Sequence, residues 1–204
     1  MKRIVAVLFA VAFSSAAFAQ VKEPEGVADI RLGMTEQELA ASGVATRIVP
    51  SLNATERWDR VPFYWKLVEV GGEMWGARPR FGNGILSMIE IDNELQYVAD
   101  KPDGDTEWKT LAAAPSFIYS KPDCDRRMDE LAAVLAKRYK KFDGPPKVLR
   151  DPAGHGFGEA TDRRATMTFP TRAIWLLEGY IAGERTCHLQ VVMAMKDPQS
   201  STFQ

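Results

Sequence analysis

Cys124 and Cys187 are the two cysteines of the chain, and the residues that follow them repeat with different periods. From Cys124 an apolar stripe runs through Met128, Leu131 and Leu135, the spacing of one helix face. From Cys187 a second stripe runs through Leu189, Val191, Met193 and Met195 at every other residue, the spacing of one strand face. A bond between the two sulfurs would therefore tie a helix to a sheet. It would close a loop of 63 residues, worth about 4 kcal/mol on the chain-entropy model. A redox pair would read Cys-x-x-Cys. A zinc site would need more ligands at short spacing than His155 and His188 supply. The pair is expected to be a structural disulfide.

That expectation needs an oxidising compartment, and the N-terminus provides an address. Lys2 and Arg3 are followed by an apolar run from Ile4 to Phe13, then by small residues ending in Ala17-Phe18-Ala19. This is the three-part layout of a secretory signal peptide over residues 1–19, with Gln20 as the first mature residue. The run is too short to cross roughly 30 Å of hydrocarbon at about 1.5 Å per residue. No later segment is apolar enough to span, so no membrane span is expected. The protein is expected to be periplasmic or secreted. Apolar residues make up 46% of the chain and charged residues 26%, which suits one globular domain over residues 20–204. The formal net charge is −1, which offers no basic excess for nucleic acid.

Thr35 with Glu38 reads as a capping box, Met34 and Leu39 hold the staple positions, and Gly43 is a stop. A helix is predicted over about 36–42. Residues 44–60 read as irregular. Strands are predicted at about 63–70, 74–81 and 85–91, with turns at Gly71-Gly72 and Asn83-Gly84. Residues 92–119 read as loop, turning at Lys101-Pro102-Asp103-Gly104-Asp105, with room for a short strand or a helical turn around 106–119. A second helix is predicted from near Asp123 to about Lys141, stopped by Asp143-Gly144-Pro145-Pro146. A glycine-rich loop over 151–163 follows, then strands at about 165–170, 173–180 and 184–195. The order α-βββ-α-βββ predicts an α+β fold. It would have two similar halves, about 27–100 and 120–197, and an antiparallel sheet with both helices on one face.

The stretch Asp29 to Leu39, with Ile30-Arg31-Leu32-Gly33-Met34-Thr35 and Glu38, resembles the start of the first helix in a broad group of exported bacterial envelope proteins. That group includes the small lipoprotein of the outer-membrane barrel-assembly machine and the secreted β-lactamase inhibitor protein. Phe81-Gly82-Asn83-Gly84-Ile85-Leu86-Ser87-Met88-Ile89 is similar to the hairpin of the same unit. The chain departs from the group in two ways. Gln20 stands where the lipoprotein has its acylated cysteine, and the Leu-Gly-x-Pro that often follows the first helix is missing after Gly43. No functional residue carries over. The resemblance implies a small interaction module of the envelope.

Catalytic signatures are missing from the sequence. It has no Gly-x-Ser-x-Gly, no His-Glu-x-x-His and no Gly-x-x-x-x-Gly-Lys. His155, in Gly154-His155-Gly156-Phe157-Gly158, has no named partner, and it reads as part of a surface turn. Asp103 and Asp105 lack the acidic spacing of a calcium loop. Asp123, Asp125, Asp129 and Glu130 suit the positive end of the second helix. No cofactor and no metal are expected.

The remaining candidate is the sheet face that the helices leave open. A three-residue loop Ile181-Ala182-Gly183, with Gly183 left-handed, would put Trp175 and Leu177 with Cys187, Leu189 and Val191 beneath the helices. Ile174, Leu176, Glu178 and Tyr180 would then share the open face with Thr186, His188, Gln190 and Val192. A two-residue loop would reverse this and push Glu178 under the helices, and burying a lone carboxylate is costly. The first register is therefore expected, with Leu176, Tyr180, His188 and Gln190 as partner-binding residues. The function expected is a non-enzymatic, exported module that binds another envelope protein. The alternatives are a small secreted hydrolase using His155, and a carrier of a lipophilic ligand held between helices and sheet.

Overall fold

The computed structural model describes residues 22–48, 63–93, 97–99, 108–110, 120–151, 160–183 and 185–196. The signal segment, His155, Asp103 and Asp105 lie outside the described residues. Strands β1 (Gly26–Val27) and β2 (Ile30–Arg31) form a short hairpin ahead of helix α1 (Glu36–Ser42). Then come β3 (Thr46–Ile48), β4 (Phe63–Val70), β5 (Glu73–Gly82) and β6 (Ile85–Asp92). Two three-residue strands, β7 (Tyr97–Ala99) and β8 (Trp108–Thr110), pair with each other. Helix α2 (Lys121–Arg138) precedes β9 (Lys147–Asp151), β10 (Ala160–Thr168), β11 (Arg172–Ile181) and β12 (Thr186–Met195). The fold is α+β, with two helices among the described residues and an eight-stranded antiparallel sheet ordered β3-β4-β5-β6-β12-β11-β10-β9.

Local chemistry explains the best-formed elements. At α1 both arms of the capping box are made. The Glu38 N–H donates to the Thr35 hydroxyl at 3.2 Å, and the Thr35 N–H donates to the Glu38 carboxylate at 2.7 Å. Gly43 ends the helix at φ 64°. The two tight hairpins turn on Gly71-Gly72 (φ 62° and 87°) and Asn83-Gly84 (φ 52° and 79°). Positive φ at both central residues matches the right-handed twist of the flanking strands. Ser120 caps α2 by accepting from the Asp123 N–H at 3.3 Å.

One apolar core takes in Leu39 of α1, the α2 residues Cys124, Met128, Leu131 and Leu135, and the β12 residues Cys187, Leu189, Val191 and Met193. The helical and strand stripes thus meet, and Cys124 and Cys187 are joined in a disulfide with Cα atoms 5.7 Å apart. Beside the bond sits buried Asn93, one residue past β6. Its side chain accepts from the Leu189 N–H at 2.9 Å and donates to the Cys187 carbonyl at 3.2 Å. The side chain takes over two backbone partners on β12 that the departing chain no longer supplies.

Two expectations are corrected. The element order differs from α-βββ-α-βββ, because the β1–β2 hairpin precedes α1, β3 and β9 add an outer strand at each edge of the large sheet, and β7–β8 pair between β6 and α2. An edge strand need not alternate apolar and polar residues. In β9 the consecutive Val148 and Leu149 are 52% and 67% exposed, so the period-2 signal that marks a half-buried strand is missing. The second correction is the register of β11 on β12. Ile181 pairs with Thr186, so the loop comprises residues 182–185, with Arg185 at φ 55°. Four loop residues have the parity of two, which reverses every side chain relative to a three-residue loop. Tyr180 stands opposite Cys187, Glu178 opposite Leu189 and Leu176 opposite Val191. Leu176 and Tyr180 therefore face the core that holds the disulfide.

Replacing Cys124 and Cys187 together by serine is expected to lower unfolding free energy by about 2–4 kcal/mol. Urea unfolding of oxidised wild type against the double variant measures it. An unchanged midpoint would place the hold on α2 elsewhere.

Candidate functional site

The reversed register divides the sheet residues into two sets. On the face that carries Cys187, β11 contributes Ile174, Leu176, Glu178 and Tyr180, all buried. Glu178 is 1% exposed, and it is not alone. Lys121 Nζ lies 2.9 Å from Glu178 Oε1, and Arg163 Nη1 lies 3.0 Å from Oε2. Arg163 also reaches Asp125 at 2.9 Å and, through Nη2, Asp129 at 2.8 Å. Lys121 is paired with Asp125 one helical turn on. Two cations and three carboxylates thus join the first turns of α2 to β10 and β11. They border a cleft of about 650 Å³ whose lining includes Lys121, Asp125, Asp129, Arg163, Tyr180 and Val148.

Burial is the largest influence on the Glu178 carboxyl. It pushes the group above the usual carboxylate range, while the Lys121 hydrogen bond and charge pull the other way. Burial also acts upward on Asp125, but the Lys121 hydrogen bond and the Lys121 and Arg163 charges outweigh it and hold this carboxyl low. The cluster can anchor α2 and take up a proton at Glu178. Asp125 and Asp129, expected to serve the helix dipole, face Arg163. Asp123 accepts from its own cap residue Ser120, and Glu130 pairs with Arg126 at 2.8 Å. Among the described residues no group of three or more His, Cys, Asp or Glu side chains is placed to hold a metal ion.

The opposite face carries the other predicted residues. His188 stands opposite Gly179, and Gln190 stands between Leu177 and Asp92. Gln190 donates to the Asp92 carboxylate at 3.4 Å. Next to them lies a second apolar cluster, separate from the main core. Ala173, Trp175, Val192 and Ala194 are buried in it, with Met88 and Leu177 packed against them. Charged side chains frame this cluster. The Arg164 guanidinium sits 5.4 Å from the Trp175 ring, and Arg80 pairs with Glu90 at 2.8 Å. The Arg78 guanidinium lies over Phe63, 4.7 Å from the ring centre. Of the four residues expected to share a partner-binding face, the structure keeps His188 and Gln190 together and turns Leu176 and Tyr180 into the core.

Sequence reasoning missed Lys121, Arg163 and Asn93. A usable signal existed for the first two. Glu178 interrupts the apolar alternation Ile174-Leu176-Glu178-Tyr180, and a carboxylate in a buried stripe calls for a cation nearby. Asn93 carries no such mark.

Set against protein-family models, curated proteins and solved structures, the chain shows no significant match in any of the three.

Arg163→Met strips one partner from a buried carboxylate and is expected to cost about 3–5 kcal/mol. Adding Glu178→Met, with Lys121 left to Asp125, recovers most of that loss. Chemical unfolding of the single and double variants tests both. Acid titration separates the two carboxylates. The raised Glu178 group binds its proton in the folded state first, so wild type gains stability relative to Glu178→Gln as pH falls through the carboxylate range. The depressed Asp125 group has the opposite sign, and wild type loses relative to Asp125→Asn below the ordinary aspartate range. Parallel pH responses of the two variants would contradict the assignment.

Proposed function

We propose that this chain is an exported, non-enzymatic binding module of the bacterial envelope. It engages another envelope protein through the sheet face opposite the disulfide. The observation that carries the reading is the set of half-buried side chains that lies over the second apolar cluster on that face. Trp175 and Val192 are buried there, and half-buried Met88 and Leu177 share the face with His188, Gln190 and exposed Arg164. Partly exposed apolar groups ringed by arginine and hydrogen-bonding side chains are what protein contacts use. In this reading both helices cover the other face, since Leu39 and the α2 stripe share one core. The halves 27–100 and 120–197 then each supply a helix and four strands, and they meet where β6 pairs with β12.

Export rests on the layout of residues 1–19, and the disulfide is consistent with an oxidising compartment. The non-enzymatic reading rests on the missing catalytic motifs, and the envelope partner on the resemblance of Asp29 to Leu39.

A photo-crosslinking residue placed at Gln190, in cells that make the full chain, is expected to capture a discrete envelope protein. The same residue at exposed Val134 of α2 is expected not to capture it. Substituting His188→Asp with Gln190→Lys should abolish co-purification while leaving the thermal midpoint in place. A crosslink from position 134 and none from 190, or co-purification that survives the double substitution, would overturn the proposal.

A further inference from the structure

We propose that the groove between α2 and the β4–β5 hairpin binds a small, uncharged, apolar molecule, independently of the opposite sheet face. The groove encloses about 380 Å³, at the small end of ligand pockets, which run from roughly 300 to 1,000 Å³. Trp75 and Leu189 of the sheet and Leu131 and Val134 of the helix give it apolar walls, and Val70 closes it beside the turn. Trp75, Leu131 and Leu189 are buried residues of the main core, so the groove opens directly onto that core. Val134 is 55% exposed, an aliphatic side chain held at the rim.

Charge decides the class of occupant. Four charged side chains line the groove, and they are joined in pairs. Arg127 of α2 pairs with Glu73 of β5, tying the two walls, and Arg126 pairs with Glu130 at 2.8 Å. A charged ligand would have to break one of these pairs or sit against a neutralised rim. An uncharged apolar body displaces water chiefly from exposed Val134, rests against the core side chains behind it and leaves both pairs intact. The larger cleft beside Glu178 differs in that its charged side chains form one network around a buried carboxylate. The volume also commits the groove to a small molecule, since a docked helix has a diameter of about 10 Å or more with its side chains.

The experiment uses the full oxidised chain and the uncharged fluorophore N-phenyl-1-naphthylamine, whose emission rises in apolar surroundings. Saturable binding is expected. Val134→Lys, which sets a charge at the rim, and Val134→Trp, which fills the groove, should each raise the dissociation constant at least tenfold. Position 134 is exposed, and unchanged circular dichroism shows that both variants are folded. The sulfonated analogue 8-anilinonaphthalene-1-sulfonate should bind at least tenfold more weakly. His188→Asp on the opposite face should leave the fluorophore affinity as in wild type. Absence of saturable binding would overturn the proposal. So would affinities indifferent to both Val134 substitutions, sulfonate binding as tight as that of the neutral probe, or loss of binding in His188→Asp.

Discussion

A carboxylate in the middle of a buried strand face sets the terms for everything packed around it. Glu178 is sealed beneath α2, and the sheet tolerates it because Lys121 and Arg163 approach its two oxygens separately. Each cation is shared in turn with Asp125, and Arg163 also with Asp129. Such a cluster contributes little net stability, because taking Glu178 and most of Arg163 out of water offsets much of their mutual attraction. Its effect is on register. Sliding β11 by one residue would strand both cations against Leu177 or Gly179 and send Glu178 to the other face. The network therefore favours one parity of the β11–β12 hairpin over the other. The disulfide acts at the same place, since Cys187 lies opposite Tyr180, two residues along β11 from Glu178. One constraint is covalent and indifferent to pH. The other is ionic and titrates.

The consequences spread across the sheet through its order. β12 pairs with β11 on one side and β6 on the other, so its parity dictates which residues of both neighbours share a face. With Cys187, Leu189, Val191 and Met193 committed to the main core, Val192 and Ala194 must line the opposite face, and Trp175 joins them. The second apolar cluster follows from the same register that buries Glu178. Asn93 reinforces it by holding the backbone of Cys187 and Leu189 where β6 ends.

Much of this was legible in the residues, and the exceptions have physical causes. Caps, tight turns and long amphipathic stripes announce themselves locally, and α1, the Gly71-Gly72 and Asn83-Gly84 hairpins, the α2 stripe and the cysteine pairing all follow from such signals. Helix α2 begins at Lys121 instead of near Asp123 because Ser120 is the cap. What was not legible depends on partners distant in sequence. The rule that a lone carboxylate is costly to bury is sound, but it selected the wrong loop length because Lys121 and Arg163 lie 57 and 15 residues away from Glu178. Edge strands β3 and β9 escaped notice because a strand exposed on both faces has no hydrophobic period. Two of the four residues expected to share a face do so. His188 and Gln190 have the same parity on one strand, whereas Leu176 and Tyr180 depended on the hairpin between strands.

The two proposed surfaces differ in how they treat charge, and that difference follows from where each sits on the sheet. The groove beside α2 is bounded by a helix whose polar side chains find counter-charges within four residues or on the adjacent hairpin, so its rim is neutralised in pairs. The opposite face has no described helix to supply such partners. There Arg164 sits by Trp175 and Arg78 over Phe63, while Arg80 pairs with Glu90 across the sheet. The proposed contact face therefore carries both ring-stacked and ion-paired arginines, whereas the charges that line the groove are paired with one another. Both surfaces border β12, the strand held by sulfur on one side and backbone hydrogen bonds on both, and rigid strands position binding groups more narrowly than loops do.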